Sequence, residues 1–156
     1  MFVLRVNSRL NKEVPPLKSE KPIFNKRASK KAMWTYKSDE ELEGYQGPIN
    51  KTQAEMIYAM TELYKLLNTN NIKLSLAVYP WPQQLEFDDI NSKHVEMWKN
   101  FCEKKCDKFI NFFPFFFEEK IKTSYLDVFK KYYFWNDVHF NAIGNRLIAE
   151  KLIKEF

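Results

Sequence analysis

The order of helix and strand signals after residue 49 constrains the fold of this chain most strongly. Residues 50 to 71 carry apolar side chains at helical spacing, namely Met56, Ile57, Met60, Leu63, Tyr64 and Leu67. Asn50 is predicted to cap this helix, and the apolar run from Leu74 to Tyr79, which Pro80 ends, is predicted to be a buried strand. A helix followed directly by a buried strand is typical of a parallel sheet with both faces covered.

The same order then recurs. Residues 92 to 106 show a second helical spacing, and a second strand is predicted around Lys108 to Phe112. The aromatic segment 113 to 135 is predicted to hold a short helix in the core. The last helix is predicted within residues 141 to 156, with Gly144 in its first turn and one apolar stripe of Ile143, Leu147, Ile148, Leu152 and Ile153. The sequence therefore predicts an α/β fold without repeats.

The first part of the chain has a different character. Residues 1 to 48 combine proline and glycine punctuation with a basic run at 21 to 31, which predicts an irregular N-terminal arm packed by a few aromatic side chains. Residues 49 to 156 then form the α/β domain. A chain of 156 residues with 45% hydrophobic content can supply one core.

Charge and hydropathy limit the function classes. The formal charge is +5 and the isoelectric point is near 9.1. Outside the arm, however, lysines alternate with acidic residues as on a solvated surface, so we do not expect nucleic-acid binding. We see no secretory signal and no segment that approaches the ~20 apolar residues of a membrane span. We therefore expect a soluble chain without a membrane span, and the sequence leaves its compartment open.

A motif near the C-terminus carries the candidate chemistry. Asp137 and His139 are followed by Phe140, Asn141 and Gly144, in the pattern D-x-H-[aromatic]-N-x-x-G before an amphipathic helix. This pattern resembles the last conserved block of the SGNH (GDSL-type) hydrolases and of the related alginate O-acetyltransferase-like proteins. Residues 77 to 85 and 108 to 116 are similar to the last two strands of that family and the segments that follow them.

The resemblance implies a fold, a reaction and a site. The fold would be a partial three-layer flavodoxin-like parallel sheet with flanking helices, and the substrates would be acyl esters, including those of carbohydrates. His139 would be the general base that activates a serine, and Asp137 would orient it. Tyr79, Trp81, Asn136 and Asn141 are the candidates for lining the pocket. Most family members use D-x-x-H, which would place the acid at Asn136, whereas the acetyltransferase-like branch uses D-x-H, as found here.

The chain departs from the family in one respect that matters. The Gly-Asp-Ser block that supplies the nucleophile is missing, and the serines that are present lack a strand-to-turn setting: Ser8, Ser19, Ser29, Ser38, Ser75, Ser92 and Ser124. The chain thus resembles a C-terminal half that lacks the first strands, and we expect it to be inactive alone. We also expect a complementary chain or a homo-oligomer to cover the exposed sheet edge. The resemblance is compatible with a parent protein of the bacterial cell envelope.

Other interpretations of these residues remain open. In one, Asp137 and His139 only cap or flank the start of a helix. In another, the chain is a non-catalytic binding or interaction module with a basic arm. His94 is expected to be solvated or capping. We expect no cofactor, and no metal-ligand spacing is apparent. Cys102 and Cys106 are either two buried thiols or a disulfide.

Overall fold

The structure is a computed structural model that describes residues 22–24 and 30–156. Most of the predicted N-terminal arm lies outside these residues. The described part has a short 3-10 helix at Met33–Thr35, directly after the helical residues 30 to 32, and then six α-helices and two strands. In chain order they are α1 (Gln46–Thr69), β1 (Ser75–Val78), α2 (Pro82–Phe87), α3 (Lys93–Cys102), β2 (Lys108–Asn111), α4 (Phe113–Lys122), α5 (Tyr125–Tyr132) and α6 (Ala142–Ile153).

The prediction of a parallel α/β arrangement is confirmed. The two strands pair in parallel with Ser75 opposite Lys108 and Val78 opposite Asn111, and in the described residues they form the whole sheet. Helix α3 makes the crossover between them, as a parallel connection requires. The prediction that both faces of β1 are covered is wrong, because Ala77 is exposed while Val78 is buried.

The core is built mainly from aromatic rings. Phe113, Phe116 and Phe129 are fully buried, and the Phe116 ring stacks on Phe140 with 5.5 Å between centroids. It also meets the Tyr132 ring edge-on at 5.6 Å. Offset and edge-on pairs of this kind suit the quadrupole of aromatic rings. The aromatic segment is therefore core, as predicted, although it forms two helices, α4 and α5, where one short helix was predicted.

Helix α1 differs from its prediction at both its start and its packing. It begins at Gln46, so Asn50 lies inside the helix and is not its cap. Pro48 in the first turn does not prevent this, because the first backbone N–H groups of a helix have no intrahelical acceptor. None of its residues is buried: Met56, Ile57 and Met60 pack partly against the core, while Tyr58 and Leu66 are 68% and 62% exposed.

Three further details correct or complete the predictions. The segment after Pro80 is the short helix α2 rather than a loop. The stripe of α6 is only partly used, since Ile143 and Ile153 are exposed. Cys102 and Cys106 form a disulfide, with 4.5 Å between their Cα atoms. No helix in the described part of the chain is long and apolar enough to cross a membrane.

Candidate catalytic pair

Asp137 and His139 are hydrogen-bonded to each other. The Asp137 Oδ1 atom lies 2.7 Å from His139 Nδ1. The same oxygen accepts hydrogen bonds from the backbone N–H groups of Val138 at 2.6 Å and His139 at 3.3 Å. One carboxylate oxygen therefore holds both the loop backbone and the imidazole ring.

The electrostatics of the carboxylate favour its ionised form. Partial desolvation opposes ionisation, but the hydrogen bonds from the His139 ring and from the amides of Val138 and His139 outweigh it and lower the pKa of Asp137. The pair is open to solvent, because the side chains of His139 and Asp137 are 76% and 51% exposed. Nε2 of His139 has no hydrogen-bond partner among the described residues, so it is free to meet another molecule.

Backbone contacts fold the loop that carries the pair. The Phe134 N–H donates to the His139 carbonyl at 3.0 Å, and the Asp137 N–H donates to the Phe134 carbonyl at 3.1 Å. Asn136 has a φ of 60°, a left-handed conformation that asparagine tolerates better than most residues. Its side-chain oxygen accepts a 2.7 Å hydrogen bond from the Ile23 N–H, so the described part of the N-terminal arm reaches this loop. Asn136 thus shapes the loop.

Asn141 fixes the end of the loop to the start of α6. Its side-chain oxygen accepts hydrogen bonds from the N–H groups of Ile143 and Gly144, which makes it the N-cap. Its amide group donates to the carbonyls of Lys131 at 3.0 Å and Tyr133 at 3.2 Å. Asn141, predicted to line a pocket, joins α5, α6 and the loop.

The end of β1 meets the loop at two points. The Tyr79 ring packs on the Phe140 ring with 4.7 Å between centroids, and the buried Tyr133 hydroxyl donates to the Pro80 carbonyl at 2.7 Å. The structure therefore brings Tyr79 next to the residue that follows His139, at the carboxyl end of a strand, where open α/β sheets bind ligands. Trp81 lies instead in a groove beside α1 that neither Asp137 nor His139 lines.

No serine among the described residues is hydrogen-bonded to His139. Ser92 is buried, donates to Asp88 at 2.7 Å and caps α3, and Ser124 caps α5. Ser38 is hydrogen-bonded to Glu41, and Ser75 begins β1, at the opposite end of the strand from Tyr79. Ser8, Ser19 and Ser29 lie outside the described residues. Among the described residues, the hydrogen-bonded pair of Asp137 and His139 thus has no serine beside it.

His94 was assigned a solvated or capping role, and that prediction is wrong for its side chain. The ring lies between Trp34 and Phe113, each 6.2 Å away between centroids. Desolvation lowers its pKa to about 4, against an opposing effect of Asp88. Nor did the sequence single out Tyr133 as a buried ionisable residue. Its burial raises the pKa of its hydroxyl well above the ordinary value. Tyr133 stands in an aromatic run that indicates burial, whereas the aromatic residue nearest to His94 in the sequence is Trp98, one helical turn away.

Comparison of the chain with protein-family models, with curated proteins and with solved structures finds no match. Within the described residues, no group of three or more His, Cys, Asp or Glu side chains could hold a metal ion. The geometry of the site is therefore the basis for any assignment of function.

Proposed function

We propose that this chain supplies the histidine and acid of an SGNH-type esterase or O-acyltransferase that acts on acyl esters, including those of carbohydrates. In this proposal β1 and β2 are the last two strands of a flavodoxin-like sheet whose other strands come from elsewhere. The observation that carries the proposal is the 2.7 Å contact between Asp137 Oδ1 and His139 Nδ1, which leaves Nε2 facing solvent.

The roles of the two side chains follow from this arrangement. An ionised Asp137 keeps the ring proton on Nδ1, so the lone pair of Nε2 can accept a proton from a serine hydroxyl. The carboxylate then stabilises the imidazolium until Nε2 returns the proton to the leaving group. None of the described serines is hydrogen-bonded to His139, so a complementary chain is the proposed source of the nucleophile.

Hydrolysis of p-nitrophenyl acetate tests the proposal in two stages. The purified chain alone should release nitrophenol no faster than its His139→Ala variant does. The chain mixed with the product of an adjoining reading frame that contains a strand followed by Gly-Asp-Ser should show turnover. Replacing His139 by Ala or Asp137 by Asn should then lower kcat on the order of 10³-fold or more.

The matched control is Lys154→Ala, an exposed position at the end of α6, which should leave the rate unchanged. Turnover by the complex that survives His139→Ala would contradict the proposal. Turnover by the chain alone that disappears in His139→Ala would instead place the nucleophile within this chain.

A second candidate is a non-catalytic interaction module that pairs with another chain. The observation that favours it is the incomplete packing of α1, which has no buried residue, together with the exposed Ala77 on β1. A partner that covers these surfaces but restores no esterase activity would support this candidate over the first.

A further inference from the structure

A groove lies between the described end of the N-terminal arm and the first half of α1. Its volume is about 810 Å³, within the usual range of small-molecule sites. We call it the α1 groove. Its apolar walls come from three parts of the chain and include Met33, Trp34, Ile49, Met56 and Trp81. A concave surface with two tryptophans and two methionines suits an apolar ligand.

The charged side chains found among the described residues that line the α1 groove are all cationic. Lys30 and Lys31 line it and are exposed, and no aspartate or glutamate is found among the described residues that line it. Lys30 Nζ lies 3.5 Å from the Tyr45 hydroxyl and 5.2 Å from the centre of the Tyr45 ring. His94, which also lines the groove, has a pKa of about 4 because of desolvation and is neutral at pH 7. Lys30 and Lys31 thus make one end of the groove cationic.

The polarity of the α1 groove changes along its length. Tyr45, beside Lys30, precedes α1, whereas Met56, three turns into the helix, packs partly against the core. At 1.5 Å per residue these two positions are about 16 Å apart along the helix axis. The groove therefore leads from a cationic, solvent-exposed end to an apolar inner end.

We propose that the α1 groove binds a single-chain amphiphile with one anionic head group, with the head at Lys30 and Lys31 and the alkyl chain extending toward Met56. Charge complementarity selects the anion, since the lysines have no acidic counterpart in the groove. The length and aromatic lining select an extended alkyl chain. This inference is independent of the proposed esterase function, because neither Asp137 nor His139 lines the groove.

Tryptophan fluorescence tests the proposal directly, because Trp34 and Trp81 line the groove. The probe is 12-bromododecanoate, whose bromine quenches a tryptophan only near contact, titrated into the full chain below its micelle concentration. We expect saturable quenching. The quenched share of the signal should fall in Trp81→Phe and fall further when Trp34→Phe is added.

The role of the lysines is tested by comparing this acid with 12-bromododecanol. The alcohol should bind about fivefold more weakly, the scale of an exposed charge interaction. Lys30→Gln with Lys31→Gln should remove this preference, while a matched control, Lys51→Gln with Lys104→Gln, should keep it. Thr52→Trp, a substitution at an exposed groove position, should abolish saturable quenching while circular dichroism stays unchanged.

Three results with the full chain would overturn the proposal. They are quenching that does not saturate, saturable quenching that persists without both Trp34 and Trp81, and equal affinity for the acid and the alcohol in the unmodified chain. Saturable quenching that appears only after residues 1 to 21 are deleted would also overturn it, because the arm would then be the occupant of the groove.

Discussion

At the scale of the residue, the site depends on a few side chains with several partners each. Asp137 Oδ1 meets two backbone amides and one imidazole, and Asn141 meets four backbone groups. The pair is exposed, so hydrogen bonds hold its geometry and burial contributes little. Its alignment therefore depends on the loop backbone and on the start of α6.

Gly144 is predicted to be indispensable to that alignment. A Cβ atom at this position would collide with the Tyr132 carbonyl oxygen and would lie 2.8 Å from Phe140 Cδ1. Because the first obstacle is backbone, Gly144→Ala should lower the free energy of unfolding by about 2 kcal/mol or more. Urea denaturation measures this change.

The matched control for that substitution is Gly47→Ala. Gly47 also lies in the first turn of a helix, and no atom outside its immediate surroundings lies within 4 Å of a Cβ added there. It should be neutral or slightly stabilising, because alanine favours a helix more than glycine does. Equal losses at the two positions would contradict the steric argument for Gly144.

His94 is predicted to make stability depend on pH. Its folded pKa of about 4 lies below the ordinary 6.5, mainly because of desolvation. The unfolded chain therefore binds the proton first as the pH falls. The contribution of His94 to the free energy of unfolding should be constant above about pH 6.5, fall by up to about 3 kcal/mol toward pH 4, and then level off. Urea denaturation at several pH values measures this, with the second histidine as the comparison.

Replacing His94 by Gln should flatten this part of the pH profile, because glutamine does not titrate. His139→Gln is the matched control, since His139 is the other histidine of the chain and is exposed. The control should keep the loss of stability between pH 6.5 and 4. A profile that stays the same in His94→Gln would show that another group causes the loss.

At the scale of the element, the start of α6 is where the helices and the loop of the candidate site are connected. The Asn141 side chain caps α6 and also ties it to the last turn of α5 and to Tyr133. The Tyr133 and Phe140 backbones form an antiparallel bridge across the same loop. The pair is thus positioned by the junction of two helices.

Replacing Asn141 should cost more than the loss of an ordinary helix cap. Asn141→Ala removes the cap and leaves the carbonyls of Lys131 and Tyr133 without the amide donor, so we expect a loss of about 2 to 3 kcal/mol. Asn141→Asp keeps the cap but not the donor, and should lose less. Thermal and urea denaturation measure both changes.

Ser124→Ala is the comparison for this experiment, because Ser124 caps α5 through one acceptor. Its loss should be near 1 kcal/mol, as for a simple cap. If Asn141→Asp proved as stable as the unmodified chain, the hydrogen bonds that the Asn141 amide donates would contribute nothing to stability. Asn141 would then act only as a helix cap.

At the scale of the whole molecule, the helices cover the sheet unevenly. The aromatic core lies among α2 to α6 and β2, while α1 contributes only partly buried side chains. Tyr58, Leu66 and Ile72 are exposed along α1 and just beyond it. Exposed apolar surface of this kind favours association with another chain.

The isolated chain should therefore self-associate as its concentration rises. Tyr58→Lys with Leu66→Lys should weaken this association at least about tenfold, because each lysine would lose hydration on burial. Sedimentation velocity at several concentrations measures the shift. The control, Ala54→Lys with Asn68→Lys, adds the same charge at other exposed positions of α1 and should have a smaller effect. A chain that stays monomeric at high concentration would contradict the prediction.

The sequence by itself determined the elements whose signals are local. The hydrophobic periodicity and the positions of the prolines predicted both strands to within a residue or two. They also predicted the helices α3 and α6 and the parallel order of the strands. The spacing of Asp137, His139, Asn141 and Gly144 picked out the loop where the 2.7 Å pair forms. These features depend on neighbours along the chain, which a sequence displays directly.

Only the tertiary structure decided the features that depend on residues far apart in the chain. The burial of His94 requires Trp34 and Phe113 to meet it. The contact of the Tyr79 ring with Phe140 joins residues 61 positions apart, and the hydrogen bond from Tyr133 to the Pro80 carbonyl spans 53 positions. The incomplete packing of α1 likewise follows from how much core remains for it to cover. Periodicity predicts which side of a helix is apolar, but burial depends on whether another surface reaches that side.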